Sequence, residues 1–324
     1  MRSIFSEAYI SNRGGRDYNE DYTLSYSNGD AYCWVVADGL GGHGGGEEAS
    51  RIACETVVRS FQANPAVLPD AVQAHLRNAD DALRREQQAK PALARMRSTI
   101  VVLVANAVQA VVGHVGDSRL YHFRDGRLVG QTKDHSVPQS LVDAGELAPA
   151  AIRHHEDRSR LLRALGEEQP ARASVSSPPL AIGKGDIFLL TTDGFWENVL
   201  EVEMELDLAK SRNAADWLAR MENRLQERVD GSHDNYTAVA VWGDALSVRQ
   251  IQPLAHTGAV KRPAAVRNES SILLKLIVFL ILPVFILALA CFVMPERWKH
   301  PVHKHRDSSD RSQTLRPGPR GLSA

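Results

Sequence analysis

Carboxylates stand in this 324-residue chain where apolar runs begin or end. Val35-Val36-Ala37 stops at Asp38 and passes into Gly39-Leu40-Gly41-Gly42-His43-Gly44-Gly45-Gly46, while Ile187-Phe188-Leu189-Leu190 leads to Asp193-Gly194. Asp234-Asn235 precedes the apolar stretch from Tyr236 to Trp242, and Asp117 sits in Gly116-Asp117-Ser118-Arg119 between two more. Taken singly, such an aspartate is ordinarily a turn residue or a helix cap. Several at strand ends, with no comparable cysteine or histidine cluster, describe an oxygen-rich site for hard divalent ions such as magnesium or manganese. The glycine run exposes Asp38 and lets backbone atoms come close to a ligand.

The same glycines support a rival reading. Gly39, Gly41 and Gly44 fit G-x-G-x-x-G between a strand and a helix, the dinucleotide-binding pattern. Asp38 would then lie against a pyrophosphate, and the strands downstream lack the alternating order of a parallel sheet. No lysine follows the glycines, which argues against a P-loop.

Elements that could position these residues follow from periodicity. Short β-branched or aromatic runs predict strands at Tyr32 to Ala37, Thr99 to Asn106, Gln109 to Val115, Arg119 to Phe123, Ile187 to Thr191 and Tyr236 to Trp242. Asp125-Gly126 predicts a tight hairpin turn. Helical spacing covers Glu47 to Phe61, Asp70 to Gln88 and Ala214 to Arg228. Hairpins dominate, with helices clustered between them, so the class is α+β, antiparallel sheets covered by helices.

Composition sets the outer limits. A formal net charge of −1 leaves no nucleic-acid footprint. Cys33, Cys54 and Cys291 are too far apart for zinc or redox spacing and read as buried thiols. Residues Met1 to Ile10 hold no apolar run of signal-peptide length, which predicts a cytoplasmic first domain. From Ile272 to Met294 the chain is almost wholly apolar, and at ~1.5 Å per residue it is long enough to cross a hydrocarbon core of ~30 Å. The expected organisation is a domain over 1–245, a juxtamembrane linker over 246–271, a transmembrane helix over 272–294 and a basic disordered tail over 295–324. The tail arginines and lysines follow the span, whereas the positive-inside rule favours a cytoplasmic tail. A hairpin bent at Pro283 would satisfy that rule with short arms; a single crossing from a cytoplasmic domain is the preferred reading.

Taken in order, the acidic motifs resemble those of the PPM family, the type 2C metal-dependent protein phosphatases, in its bacterial form. Arg16-Asp17-Tyr18-Asn19-Glu20-Asp21 is similar to the family's first motif and Asp38-Gly39-Leu40-Gly41-Gly42-His43 to its second. Gly116-Asp117-Ser118-Arg119, Thr192-Asp193-Gly194 and Asp234-Asn235 resemble the later ones, and the match runs from about residue 5 to 243. The resemblance implies a four-layer α-β-β-α sandwich with a two-metal site, manganese or magnesium, at one end of the sheets. It implies that Asp38 bridges both ions, that the Gly39 carbonyl binds one, and that Asp193 and Asp234 hold the other. Glu20 and Asp21 would act through waters, and Asp117 would hold a third, weaker ion. Residues Ser136 to Gly166 resemble the family's mobile flap.

Physical chemistry supports those roles. Two divalent ions carry more charge than three aspartates neutralise, which leaves attraction for a phosphate dianion, and they acidify a water that can attack phosphorus in line. Arg16 would grip phosphate oxygens through its planar fork, and His43 is a candidate general acid for the leaving oxygen. His154, His155, Glu156 and Asp157 read as a solvated loop, and His300, His303 and His305 as part of a polybasic tail. The expected activity is hydrolysis of phosphoserine and phosphothreonine on proteins, opposing a serine/threonine kinase at the bacterial inner membrane. The alternative is a catalytically silent phosphoprotein receptor on the same fold, which intact Asp38, Asp193 and Asp234 argue against.

Overall fold

Strands with apolar residues on both faces need cover on both sides, and this chain supplies it from two directions. A computed structural model describes residues 4–41 and 45–243. The chain lays down β1 (Ser6–Asn12), β2 (Asp21–Ser27) and β3 (Tyr32–Leu40), then the helices α1 (Gly45–Ala63) and α2 (Pro69–Ala89). Next come β4 (Arg97–Ser98), β5 (Ile100–Ala105), β6 (Gln109–Val115), β7 (Arg119–Arg124) and β8 (Arg127–Gln131). Beyond α3 (Val137–Asp143) follow β9 (Ser174–Val175), β10 (Leu180–Ala181), β11 (Asp186–Thr191), α4 (Asp193–Trp196), α5 (Glu201–Leu208), α6 (Ala214–Arg228) and β12 (Tyr236–Trp242). One sheet has the order β1-β12-β11-β7-β8; the other is β10-β6-β5-β3-β2, with β4 on β3 and β9 on β6. All of these pairings are antiparallel.

Alternation along β3 shows how the layers arise. Tyr32, Trp34 and Val36 face the cluster shared with Phe188, Leu190, Val239 and Val241 of the other sheet. Cys33, Val35 and Ala37 turn the opposite way, into a cluster with Ala53, Val57 and Phe61 of α1 and Leu76 and Leu83 of α2. On the far side of the molecule Leu189, Ala238 and Ala240 meet Trp217, Leu218 and Met221 of α6 and Met204 of α5. Period-two alternation thus feeds two cores from one strand, each fully buried Val or Leu contributing roughly 1.5–3 kcal/mol. The six expected strands and three expected helices are present with their ends moved by a few residues. The Asp125-Gly126 hairpin is formed, Asp125 taking φ 51° and Gly126 φ 78°. Cys33 and Cys54 are buried free thiols, and burial pushes both well above the usual thiol range.

The two-residue β4, β9 and β10 were not foreseen, nor were two longer strands, β1 and β2. Both lie at sheet edges, where one-sided burial leaves polar residues such as Glu7, Ser25 and the 69% exposed Tyr9 in the strand. Among the described residues no helix is long and apolar enough to cross a membrane. The expected linker, transmembrane helix and tail, like His43, lie outside the described residues.

Candidate active site

The acidic residues meet at one end of the sandwich because antiparallel order brings the right strand ends there. Asp38 lies in β3, opposite Asp21 at the first position of β2. In the other sheet β11 runs out into Thr192 and Asp193, the start of the short α4, while Asp234 and Asn235 enter β12 beside them. Gly116 and Asp117 form the turn between β6 and β7, Gly116 at φ 97°. A pocket of about 250 Å³ at this end is lined by Arg16, Glu20, Asp38, Asp117, Asp193 and Asp234, together with Gly39, Ser159 and Leu161. Thus all the sequence-selected residues within the described chain gather here, Asp21 lying just beneath the others in the β2–β3 pair. His43 is the one whose position is not described.

Close packing fixes the glycine loop. A Cβ on Gly39 would lie 1.9 Å from the Gly46 carbonyl oxygen, and one on Gly46 would lie 2.4 Å from Glu20 Oε1. Any larger side chain would force β3 and α1 apart and displace Glu20. The Glu20 backbone is itself tied three ways: its N–H donates to Asn235 Oδ1 (2.8 Å), and its carbonyl accepts from Gly39 N–H (3.0 Å) and Ser50 Oγ (2.6 Å). Asn235 also donates through Nδ2 to the carbonyls of Arg13 (2.8 Å) and Tyr18 (2.9 Å). Its amide therefore clamps the segment that carries Arg16 and Glu20, a role the sequence motif did not reveal.

Electrostatics show what the pocket lacks. Burial, then Asp193, Asp21, Asp117 and Asp234, raise the Asp38 carboxyl well above the usual carboxylate range. Asp193 is raised in the same way by burial, Asp117, Glu197, Asp234 and Asp21. Asp21 is pushed up to about 7, by burial first and against the hydrogen bond it accepts from Thr192 Oγ1 at 2.8 Å. Its Oδ1 is buried with no hydrogen-bond partner. Burial also raises Glu20 and pushes Asp117 up to about 7. Arg16 alone among the described lining residues is cationic, and its guanidinium pairs with Asp234 Oδ2 at 2.8 Å in an exposed contact.

This donor set fits hard divalent cations: carboxylate and carbonyl oxygens only, crowded until they repel, with an orphaned acceptor beneath. Among the described residues no group of three or more such side chains closes into a ready-made metal cage. That suits ions that keep several waters and take one or two carboxylates each.

A second layer supports Asp117. Its carbonyl accepts from Trp196 Nε1 at 2.9 Å, and the Arg119 guanidinium stacks 3.4 Å from the centroid of the Trp196 ring. Arg119 is 4% exposed and grips Asp134 with two bonds, 2.8 and 2.7 Å. Arg153, in the turn Pro149–His154, pairs with Glu201 at 2.6 Å close to the same tryptophan. The spacing of these residues along the chain gave no sign of this layer.

Comparison with known proteins agrees with the geometry. The protein phosphatase 2C family model matches residues 11–235. A serine/threonine phosphatase stp of Listeria welshimeri is 30% identical over 236 residues, 70% of this chain and 90% of that protein. The crystal structure of the Mycobacterium tuberculosis serine/threonine phosphatase PstP/Ppp superposes with a TM-score of 0.64 at 29% identity, over 74% of this chain and 99% of the other. A structure of the PstP catalytic domain in complex with two manganese ions aligns at 28% identity and a TM-score of 0.62, covering 73% and 97% of the two chains. With ordered motifs, fold and matched span in agreement, the chain belongs to the protein phosphatase 2C family.

Proposed function

We propose that this chain hydrolyses phosphoserine and phosphothreonine esters on proteins with two divalent ions, opposing a serine/threonine kinase at the bacterial inner membrane. The observation that carries the reading is the convergence of Arg16, Glu20, Asp38, Gly39, Asp117, Asp193 and Asp234 on one pocket. Asp38 and the Gly39 carbonyl would hold one ion, Asp38 with Asp193 and Asp234 the other, and Glu20 and Asp21 their waters. When bound, such ions supply Lewis acidity, polarising phosphoryl oxygens and acidifying water.

The chain's own groups account for the rest. Five carboxylates line the pocket against one guanidinium, a deficit of four charges that two divalent ions cancel, without the surplus expected from three aspartates alone; a third ion near Asp117 would restore that surplus toward a phosphate dianion. Arg16 already bonds one carboxylate oxygen, Asp234 Oδ2, through one guanidinium nitrogen, and that oxygen stands in chemically for a phosphate oxygen. Ser159 and Leu161 of the flap form part of the wall. His43 is proposed as the proton donor to the leaving alkoxide, on its motif position alone.

Manganese should restore phosphate release from a phosphothreonine peptide by the chelator-treated 324-residue chain; absence of metal-dependent turnover would instead favour the silent receptor. The apolar run 272–294 supports a membrane anchor with the catalytic domain on the cytoplasmic side. Protease added to intact spheroplasts should therefore spare residues 1–245, and cleavage there would overturn the topology.

A further inference from the structure

Away from the acidic pocket the two sheets part along one side. There β8 ends one sheet and β9 and β10 flank the other, and a cavity of about 680 Å³ opens between them. That volume lies within the roughly 300–1,000 Å³ of small-molecule sites. Val112, Leu120 and Leu180 form apolar wall. Val129 of β8 and Leu162, 55% and 52% exposed, add apolar surface to the lining.

Much of the polar lining is committed to partners within the protein. His114 and His135 stack with ring centroids 4.5 Å apart and planes 10° from parallel. His135 Nδ1 accepts from Gly116 N–H (3.2 Å), which leaves its Nε2–H to donate to Ser174 Oγ (2.8 Å). His114 Nε2 meets the Lys133 carbonyl at 2.8 Å. Burial holds both imidazoles below their ordinary range, His135 at about 3, so both are neutral. Lys133 Nζ is paired with Asp143 at 2.7 Å. Arg163 is exposed, donates to the Arg172 carbonyl at 3.3 Å and forms no ion pair with a described carboxylate.

A hollow with one apolar wall, its lining carboxylates Asp134 and Asp143 held by Arg119 and Lys133, and an exposed guanidinium without a described ion pair fits an amphiphilic anion. We propose that this cavity binds a small carboxylate with an apolar body, its charge on Arg163 and its body against Val112, Leu120 and Leu180, and that occupancy is coupled to the flap over the acidic pocket. The coupling follows from alternation in one short stretch of chain. Leu161 lines the acidic pocket while the next residue, Leu162, lines the cavity. The same stretch is bound to His135, whose carbonyl accepts from Leu162 N–H (2.7 Å) and whose N–H donates to the Gly116 carbonyl (2.9 Å), one residue before Asp117. A ligand that moves Leu162 therefore moves Leu161, and its effect is set by how much better it binds one position of that stretch than the other.

The test uses 4-phenylbutyrate, its neutral amide and acetate as probes on the 324-residue chain, with binding followed by calorimetry. Phenylbutyrate is expected to bind saturably, with the amide and acetate each about tenfold weaker or more, and Arg163→Gln about tenfold weaker for phenylbutyrate alone. Leu180→Trp, which fills the cavity from its wall, should block binding with Arg163 intact; thermal melts matching wild type would show both variants folded. Saturating phenylbutyrate should change kcat/KM for a phosphothreonine peptide by about fivefold or more, and leave Arg163→Gln unaffected. Equal affinity for the amide or for acetate, binding that survives either variant, or no binding at all would overturn the site. Binding that leaves both kcat and KM unchanged would overturn the coupling.

Discussion

Replacing Asp117 by asparagine isolates one member of the carboxylate cluster. Asp117 is 4% exposed, and its carboxyl is pushed from 3.8 up to about 7 by burial first and by Asp134, with Arg119 opposing. That interval corresponds to about 4 kcal/mol, and loop relaxation lowers the recoverable part to about 2–4 kcal/mol. The sign follows from proton binding. Between pH 3.8 and about 7 the folded chain keeps a proton that the unfolded chain has released, so this group's contribution to stability falls as pH rises through that window. The asparagine amide releases no proton across this range. Without metal, Asp117→Asn should match wild type near pH 4 and gain its full advantage above pH 7. At roughly 2–4 °C per kcal/mol for a domain of this size, a gain of about 3 kcal/mol raises the melting temperature by about 6–12 °C. Thermal unfolding in excess chelator from pH 4.5 to 8 measures it, and manganese should narrow the difference by supplying the missing positive charge. An advantage that does not change with pH, or a variant less stable than wild type at pH 8, would refute the reasoning.

If Asp193 holds a metal ion as proposed, Asp193→Asn should lower peptide phosphatase turnover by about a hundredfold or more; steady-state kinetics at saturating manganese would show it. Asn235→Ala strips partners from Glu20 N–H and from the Arg13 and Tyr18 carbonyls, and should cost about 2–4 kcal/mol in urea denaturation while also reducing activity. Arg119→Lys keeps the charge but loses both the fork on Asp134 and the stack on Trp196. A loss of about 2–4 kcal/mol is expected, visible in the same denaturation experiment, and an unchanged midpoint would show that a point charge suffices beside Asp134.

Legibility in the sequence depended on how local the signal was. Strands buried on both faces, such as β3, β5 and β12, announce themselves as continuous apolar runs, and the aspartates that end them stand out by contrast. Edge strands are half solvated; β2 carried the inward alternation Tyr22, Leu24, Tyr26, but serines and a threonine between them masked it. Asn235 was visible as a motif neighbour of Asp234 and not as a clamp, because its three partners lie more than 200 positions away in the chain. Trp196, Arg119 and Asp134 form their layer only after the β6–β7 turn meets α4, so spacing could not reveal it. Nor could it reveal the cavity beside β8, whose walls come from five separate stretches of chain.

The position of the site across two sheets ties catalysis to stability. Asp38 and Glu20 belong to the sheet of β3 and β2, Asp193 and Asp234 to that of β11 and β12. Among the described residues no strand-to-strand ladder joins the two sheets; the apolar cluster around Trp34 and Phe188 does, together with polar ties such as Thr192 to Asp21 and Asn235 to Glu20. At this end like charges push the sheets apart, which adds to burial in raising the carboxyls on both sides. Cations held by the carboxylates of both sheets, as proposed, would convert that repulsion into a cross-link. Metal affinity and fold stability would then be one linked equilibrium, with the acidic cluster destabilising the protein only in the metal-free form.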